Sequence, residues 1–255
     1  MKQPILIFSH IPKTGGISLR KVVTSQYQPE QVCRVYEAEL NLPAPNRAFI
    51  ETFRKRRSDI QVLYGHFSYG VHRLLDIAPH YFTVLREPVE RVISLYGHYA
   101  RVNDSQWHRK IQQGLTLKEM ISSHLAGGMN NHITRIIAGH PYKSREVITD
   151  LKYLDRAKAN IEKHYVFTGT TSNLQSDVEK LGQFLGWTNF QLPRLNTRKD
   201  FNYETDAETR ALIVEYNRLD IALYNWIMQR NRSVHPGNLK NKKITTAHPI
   251  SLSKG

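Results

Sequence analysis

The chain carries 36 lysines and arginines against 22 aspartates and glutamates over 255 residues, a net charge of +14, with 40% hydrophobic content. That length and apolar share suit one sizeable core and a single α/β domain rather than two, and the charge predicts an anionic partner. The lone cysteine, Cys33, excludes an intramolecular disulfide and suits a reducing compartment. No run approaches the roughly eighteen apolar residues that cross a bilayer.

The first element is Ile5-Leu6-Ile7-Phe8, a continuous apolar run that predicts a buried strand. One lysine precedes it and polar loop residues follow, so it does not read as a secretory leader; the expected location is cytoplasmic, without a transmembrane segment. The strand empties into His10-Ile11-Pro12-Lys13-Thr14-Gly15-Gly16-Ile17-Ser18-Leu19. The glycines allow close backbone approach, and Ser18 opens a helical pattern continued by Leu19, Val22 and Val23. N–H groups at a helix start attract an anion, so residues 12–18 are the expected cradle. A Walker A loop would place lysine after the glycines, next to a hydroxyl for magnesium. Here Lys13 precedes Gly15 and Gly16, which disfavours a nucleoside triphosphatase.

Between residues 39 and 57, Pro43, Pro45 and Asn46 and then the basic run Arg54-Lys55-Arg56-Arg57 predict a loop and a short helix. The basic cluster fits a solvated helix face first and the wall of an acceptor cleft second. Val62-Leu63-Tyr64-Gly65 is the next strand, and it ends at His66. Among the twelve histidines, His80, His98, His108, His124 and His164 read as surface or core residues. His66 differs because it leaves a strand that should neighbour the first, and imidazole suits proton abstraction near neutrality. Tyr81-Phe82-Thr83-Val84-Leu85 then leads through Arg86-Glu87-Pro88 into a helix marked by Val89, Val92, Ile93 and Tyr96. Pro88 suits the first helical position. Arg86 thus sits at a strand's C-terminal end and Ser94 one to two turns into the helix. Open α/β sheets bind ligands at that edge, and a guanidinium with a hydroxyl suits a phosphate monoester.

Residues 101–117 are polar and predict an insertion near an acceptor opening, with Trp107 either a sugar-stacking platform or a cover for the core. Asn130-Asn131-His132-Ile133-Thr134-Arg135-Ile136-Ile137-Ala138-Gly139 predicts a packed helix. Tyr165-Val166-Phe167-Thr168-Gly169 predicts a strand, residues 173–185 a helix, and 192–200 a basic, turn-rich loop. Thr205-Asp206-Ala207-Glu208 reads as a capping box with Thr205 as the cap. Leu212, Tyr216, Leu219, Leu223 and Trp226 then form one helical core stripe. Residues 1–230 are expected to form the domain, and 231–255 a basic, disordered tail.

Together the Pro12–Ser18 segment, Gly65-His66 and Arg86 with Ser94 resemble the sulfotransferases, most closely the heparan sulfate 2-O- and 6-O-sulfotransferase branch and its bacterial relatives. The resemblance runs from Ile5 to Trp226 and is most specific at the two phosphate motifs. It implies a single-domain α/β fold, a central mainly parallel sheet flanked by helices, and 3′-phosphoadenosine 5′-phosphosulfate (PAPS) as sulfuryl donor, leaving PAP. In that family the P-K-T-G-G loop, here Pro12, Lys13, Thr14, Gly15, Gly16, Ile17 and Ser18, grips the phosphosulfate. Arg86 and Ser94 match the 3′-phosphate motif, and His66 matches the catalytic base, with Lys13 as its catalytic companion. Asn130 to Gly139 resembles a segment in which His132 and Arg135 are candidate acceptor contacts, and Thr197 and Arg198 match a loop that closes over the nucleotide. No metal is implied. The implied partner is a hydroxyl acceptor, a saccharide or polysaccharide, rather than nucleic acid. Two alternatives stand beside it: a kinase-like phosphotransferase, disfavoured by the lysine's place and the lack of an evident magnesium carboxylate at a strand end, and a non-catalytic polyanion-binding protein.

Overall fold

The apolar runs become strands of one parallel sheet: β1 (Leu6–Ser9), β2 (Val32–Val35), β3 (Val62–Gly65), β4 (His80–Leu85) and β5 (Tyr165–Thr170). Their order is β2-β3-β1-β4-β5 and each pairing is parallel. A computed structural model describes residues 4–35, 46–103, 106–124, 126–142, 144–192 and 205–233. Strand β2 escapes the sequence reading because it is a short edge strand with an exposed Arg34 rather than an apolar run.

Side chains alternate across the sheet with the period of two that a strand imposes. Ile5, Ile7, Leu63 and Tyr81 face one core, closed by α7 (His132–Ala138), α8 (Leu151–His164) and α11 (Arg218–Ser233). Leu6, Phe8, Val62 and Phe82 face the other, under α1 (Gly16–Thr24) and α9 (Leu174–Leu185). A third cluster joins α4 (Pro88–Arg101), α6 (Leu117–Ser122) and α10 (Ala207–Tyr216) beside the sheet. The expected α/β architecture with helices on both faces is therefore what forms. Among the described residues no helix is long and apolar enough to cross a membrane.

Local expectations are corrected at three places. Helix α1 begins at Gly16, with Gly15 as its cap, two residues before Ser18. Residues 101–117 are helical in part, through the end of α4, α5 (Gln106–Gln112) and the first residue of α6. The C-terminal stripe is two helices rather than one, and its cap is Asp206, whose carboxylate accepts from Thr209 N at 2.6 Å. The break falls at Asn217. Its buried amide donates to the Met129 and Ile213 carbonyls, both at 2.9 Å, and accepts from Asn131 N at 3.0 Å, bonds that end α10 and begin α11. Helix α11 continues to Ser233, and residues 234–255 lie outside the described residues.

Helices α7 and α11 cap one another. Asn131 Oδ1 accepts from Leu219 N and Asp220 N, at 3.0 and 3.2 Å, at the start of α11. Asp220 returns the contact, accepting from Ile133 N at 3.0 Å and Thr134 N at 2.7 Å at the start of α7. Both side chains are buried, so each satisfies N–H groups that water cannot reach.

At the C-terminal end of β3, Gly65 pairs with Val35, and a β-carbon there would collide with the Val35 carbonyl. Gly65→Ala should therefore push β2 from β3 and destabilise the fold by about 1–3 kcal/mol, read as a lowered urea midpoint at unchanged slope. An unchanged midpoint would contradict this register.

Candidate active site

Strand β1 lies between β3 and β4, so three strand ends meet at one edge of the sheet. Main-chain and buried hydroxyl bonds lock them together. His10 N donates to Gly65 O at 2.9 Å, Thr83 Oγ1 to Ser9 O at 2.7 Å, and Ser9 Oγ to Phe67 O at 3.4 Å. The three ends carry the expected residues: the loop from His10 to Gly16, then His66, then Arg86. This is the strand-end crevice where open α/β sheets bind ligands.

The loop has the character of an anion cradle. The first bond of α1 runs from Leu19 N to Gly15 O at 3.3 Å, so the N–H groups of Gly16, Ile17 and Ser18 precede the helical ladder. No acidic residue occupies the first turn of α1, which leaves its positive end uncompensated. Lys13 adopts a left-handed backbone with φ of 69°, a conformation that costs a non-glycine residue about 1–3 kcal/mol and is concentrated at functional sites. Thr14 is buried, and its hydroxyl donates to Ile11 O at 2.8 Å, so its side chain holds the loop's shape. Pro12 has no N–H and shapes the turn, and Ile17 is exposed.

Around Lys13 the charge is one-sided. Burial lowers the pKa of its ammonium, and the Arg101 and Arg86 guanidiniums lower it further. His98 is lowered by burial, then by Lys13 and Arg101. No carboxylate is among the groups acting on either. Ser94, His98 and Arg101 stand at i, i+4 and i+7 on α4, one face of that helix. Glu87 is not part of this cluster's chemistry, because its carboxylate accepts from Val89 N and Glu90 N and caps α4. A cluster of this kind fits a polyanion with more than one phosphate-like group. Among the described residues there is no group of three or more His, Cys, Asp or Glu able to hold a metal ion.

His66, on the neighbouring strand end, has a defined tautomer. Its Nδ1 lies 2.7 Å from His10 O, and a carbonyl only accepts, so Nδ1 carries the proton and Nε2 the lone pair. Burial lowers its pKa, opposed by the bond to His10 and assisted by Arg20 and Arg34. The ring is therefore neutral at pH 7, as a proton acceptor must be. His10 stacks on it with centroids 4.5 Å apart, and Tyr142 lies beside it at 6.1 Å.

The remaining predicted residues fall into different places. His132 is next to this group, 5.3 Å from Tyr142 ring to ring. Its Nδ1 accepts from the Arg135 guanidinium at 3.3 Å and it bonds the Gly127 backbone, so both ring nitrogens are occupied. Arg135 is 1% exposed and donates to the Ser144 and Glu146 carbonyls, tying the loop after α7 to that helix. Trp107 is half-buried on α5, packed near Tyr99 and under Lys110. Thr197 and Arg198 lie outside the described residues. Sequence reasoning missed His10, His98, Arg101, Arg20, Arg34 and Tyr142. Only His98 and Arg101 left a signal, their helical spacing from Ser94.

A family model described as "Sulfotransferase family" matches residues 2–226. No curated protein matches significantly. Among solved structures, the crystal structure of a sulfotransferase from Alicyclobacillus acidocaldarius superposes with a TM-score of 0.52 at 15% identity, over 90% of this chain and 97% of that one. Mouse sulfotransferase SULT7A1 complexed with PAP superposes at 0.46 and 11% identity, over 94% of this chain and 88% of that one. The first of these shows a shared fold.

The His10 ring makes the site acid-sensitive. Burial, then His66, Arg20 and Lys13, push its pKa down to about 3, whereas an unfolded histidine titrates at about 6.5. Above that value both states are neutral and the residue contributes nothing to pH dependence. Below it the unfolded state binds more protons, so stability falls until the pH passes the folded value, by about 2 kcal/mol near pH 5. Urea unfolding between neutrality and about pH 5 should therefore show a shallower loss in His10→Phe than in the wild type. Identical pH profiles would mean that His10 is not held neutral.

Proposed function

Because the chain belongs to the sulfotransferase family, we propose that it transfers a sulfuryl group from PAPS to an acceptor hydroxyl, with His66 as general base. The observation that carries this reading is the His66 tautomer: a neutral ring with its Nδ1 proton fixed on His10 O, on the strand end next to the loop that carries Lys13. When bound, PAPS supplies the sulfuryl group and PAP is what remains. Lys13 and the N–H groups of Gly16, Ile17 and Ser18 would hold its phosphosulfate end, and Arg86 with Ser94 its 3′-phosphate. Arg101 adds positive charge next to Lys13.

On this reading His66 Nε2 takes the proton of the acceptor hydroxyl as that oxygen attacks, and the positive charge formed on the ring is offset by the His10 carbonyl at Nδ1. Lys13 and the loop N–H groups counter negative charge that grows on oxygens at the cradle, a contribution of about 2.7–4 kcal/mol for one preorganised donor. Tyr142, half-buried beside His66, and the cations Arg20 and Arg34 suit an acceptor that is polyhydroxylated and anionic. A carbohydrate is our proposed acceptor, and the heparan-type branch rests on Gly65-His66.

Two measurements test this. Arg86→Ala should weaken PAP by about 1.5–3 kcal/mol and leave adenosine 5′-phosphosulfate nearly unaffected, because only PAP carries the 3′-phosphate; equal losses by calorimetry would move the 3′-phosphate site elsewhere. His66→Ala should keep PAP affinity and lose turnover by roughly a hundredfold or more, measured with a saccharide acceptor found by screening. A fully active His66→Ala enzyme would remove the base.

A further inference from the structure

His10 is neither one of the cradle's cations nor the base, yet it touches both. One face of its ring stacks on His66, centroids 4.5 Å apart and planes at 29°, and it also stacks with Phe8 at 5.6 Å and 21°. Its carbonyl holds the His66 Nδ1 proton at 2.7 Å, and its N–H binds Gly65 O at 2.9 Å. Its Nε2 edge fills the space that a side chain on Gly16 would need, since a β-carbon there would collide with the ring. Gly16 is the first residue of α1. The imidazole is thus wedged between the start of the anion-binding helix and the ring of His66.

We propose that His10 is a positioning residue whose ring is the spacer between the anion loop and His66, fixing the base at one distance and one orientation from the cradle. This rests on the reading of His66 as base. Main-chain bonds alone fix where the His66 Nδ1 proton points; the stack fixes the plane of the ring and hence the direction of the Nε2 lone pair. The glycine at position 16 follows from the same packing, because any side chain there would displace the spacer.

The charged and titratable groups around His66 are His10 from the loop after β1, with Lys13 acting on His10, Arg20 on α1, Arg34 on β2, His132 on α7 and Tyr142 beyond it. Burial is the largest cause of the lowered His66 pKa. Removing the His10 ring uncovers one face of His66 to water, so its titration midpoint should rise toward the ordinary value of about 6.5.

The test follows the His66 ring titration by NMR in the ligand-free chain, next to turnover with PAPS and the screened acceptor. His10→Ala should raise the His66 midpoint and lower kcat by about a hundredfold, the scale of a 1 Å misplacement. His10→Phe keeps a flat ring of similar size and should hold the midpoint and keep kcat within about threefold. Where His10→Ala does not fold, Gly16→Ala asks the same question from the other side, and the displaced ring should move the His66 titration. A folded His10→Ala or Gly16→Ala chain with an unmoved His66 midpoint overturns the spacer. Should His66→Ala prove fully active while His10→Ala still shifts the His66 titration, the base assignment falls and the packing role stands.

Discussion

The parallel pairing of β1 with β3 on one side and β4 on the other is the constraint on which the site depends. A parallel strand must leave the sheet at the same edge as its neighbours, so the three segments that follow cannot avoid one another. The pairing also fixes their depth. Ser9 pairs with Gly65 and Phe8 with Phe82, which places His10 level with His66 and two residues short of Arg86. Small residues at these ends, Ser9, Gly65 and Thr83, bring the backbones close enough for the His10, Ser9 and Thr83 bonds to form without intervening side chains.

Charge follows from this geometry. Arg101 from the last turn of α4 and Arg86 from a neighbouring strand end both act on Lys13, and no acid is among the groups that do. Like charges gathered in this way attract an anion. Burial first, then Arg20 acting on both rings, keeps His10 and His66 neutral.

The sequence makes the chemistry-bearing ends of β1, β3 and β4 legible because each is written locally, as an apolar run followed by a glycine, a histidine or an Arg-x-Pro turn. Four of the five strands are visible for the same reason, and β2 is not, because an edge strand needs neither a long apolar run nor a period. What stays hidden is everything set by contacts distant along the chain. Asn217 reads as one polar residue in a helical stripe, yet its bonds to residues 129 and 131 split that stripe in two. His10 reads as the residue before a loop, and only the β1–β3 register shows that it stacks on His66. Thr205 gave way to Asp206 as cap because the two differ by a single position, the scale at which local pattern is least decisive.

The mutual capping of α7 and α11 explains why the C-terminal helices belong to the site although they carry none of its expected groups. Asp220 fixes the first turn of α7, and α7 begins with His132, whose ring sits against Tyr142 beside His66. Arg135, one turn later, ties down the loop that carries Tyr142 by holding the Ser144 and Glu146 carbonyls. Burying Asp220 without these partners would leave a desolvated carboxylate; with them, and with Arg91 acting on it, the charge is compensated. The wall of the crevice beside Tyr142 is thus set by a buried polar lock some 90 residues away in sequence, as the 87-residue separation of Ile133 and Asp220 shows. The wall formed by the loop after β1 is set by adjacent residues. That loop is therefore the part a local motif can specify, and the wall beside Tyr142, built from long-range contacts, is where chains with the same loop are free to differ.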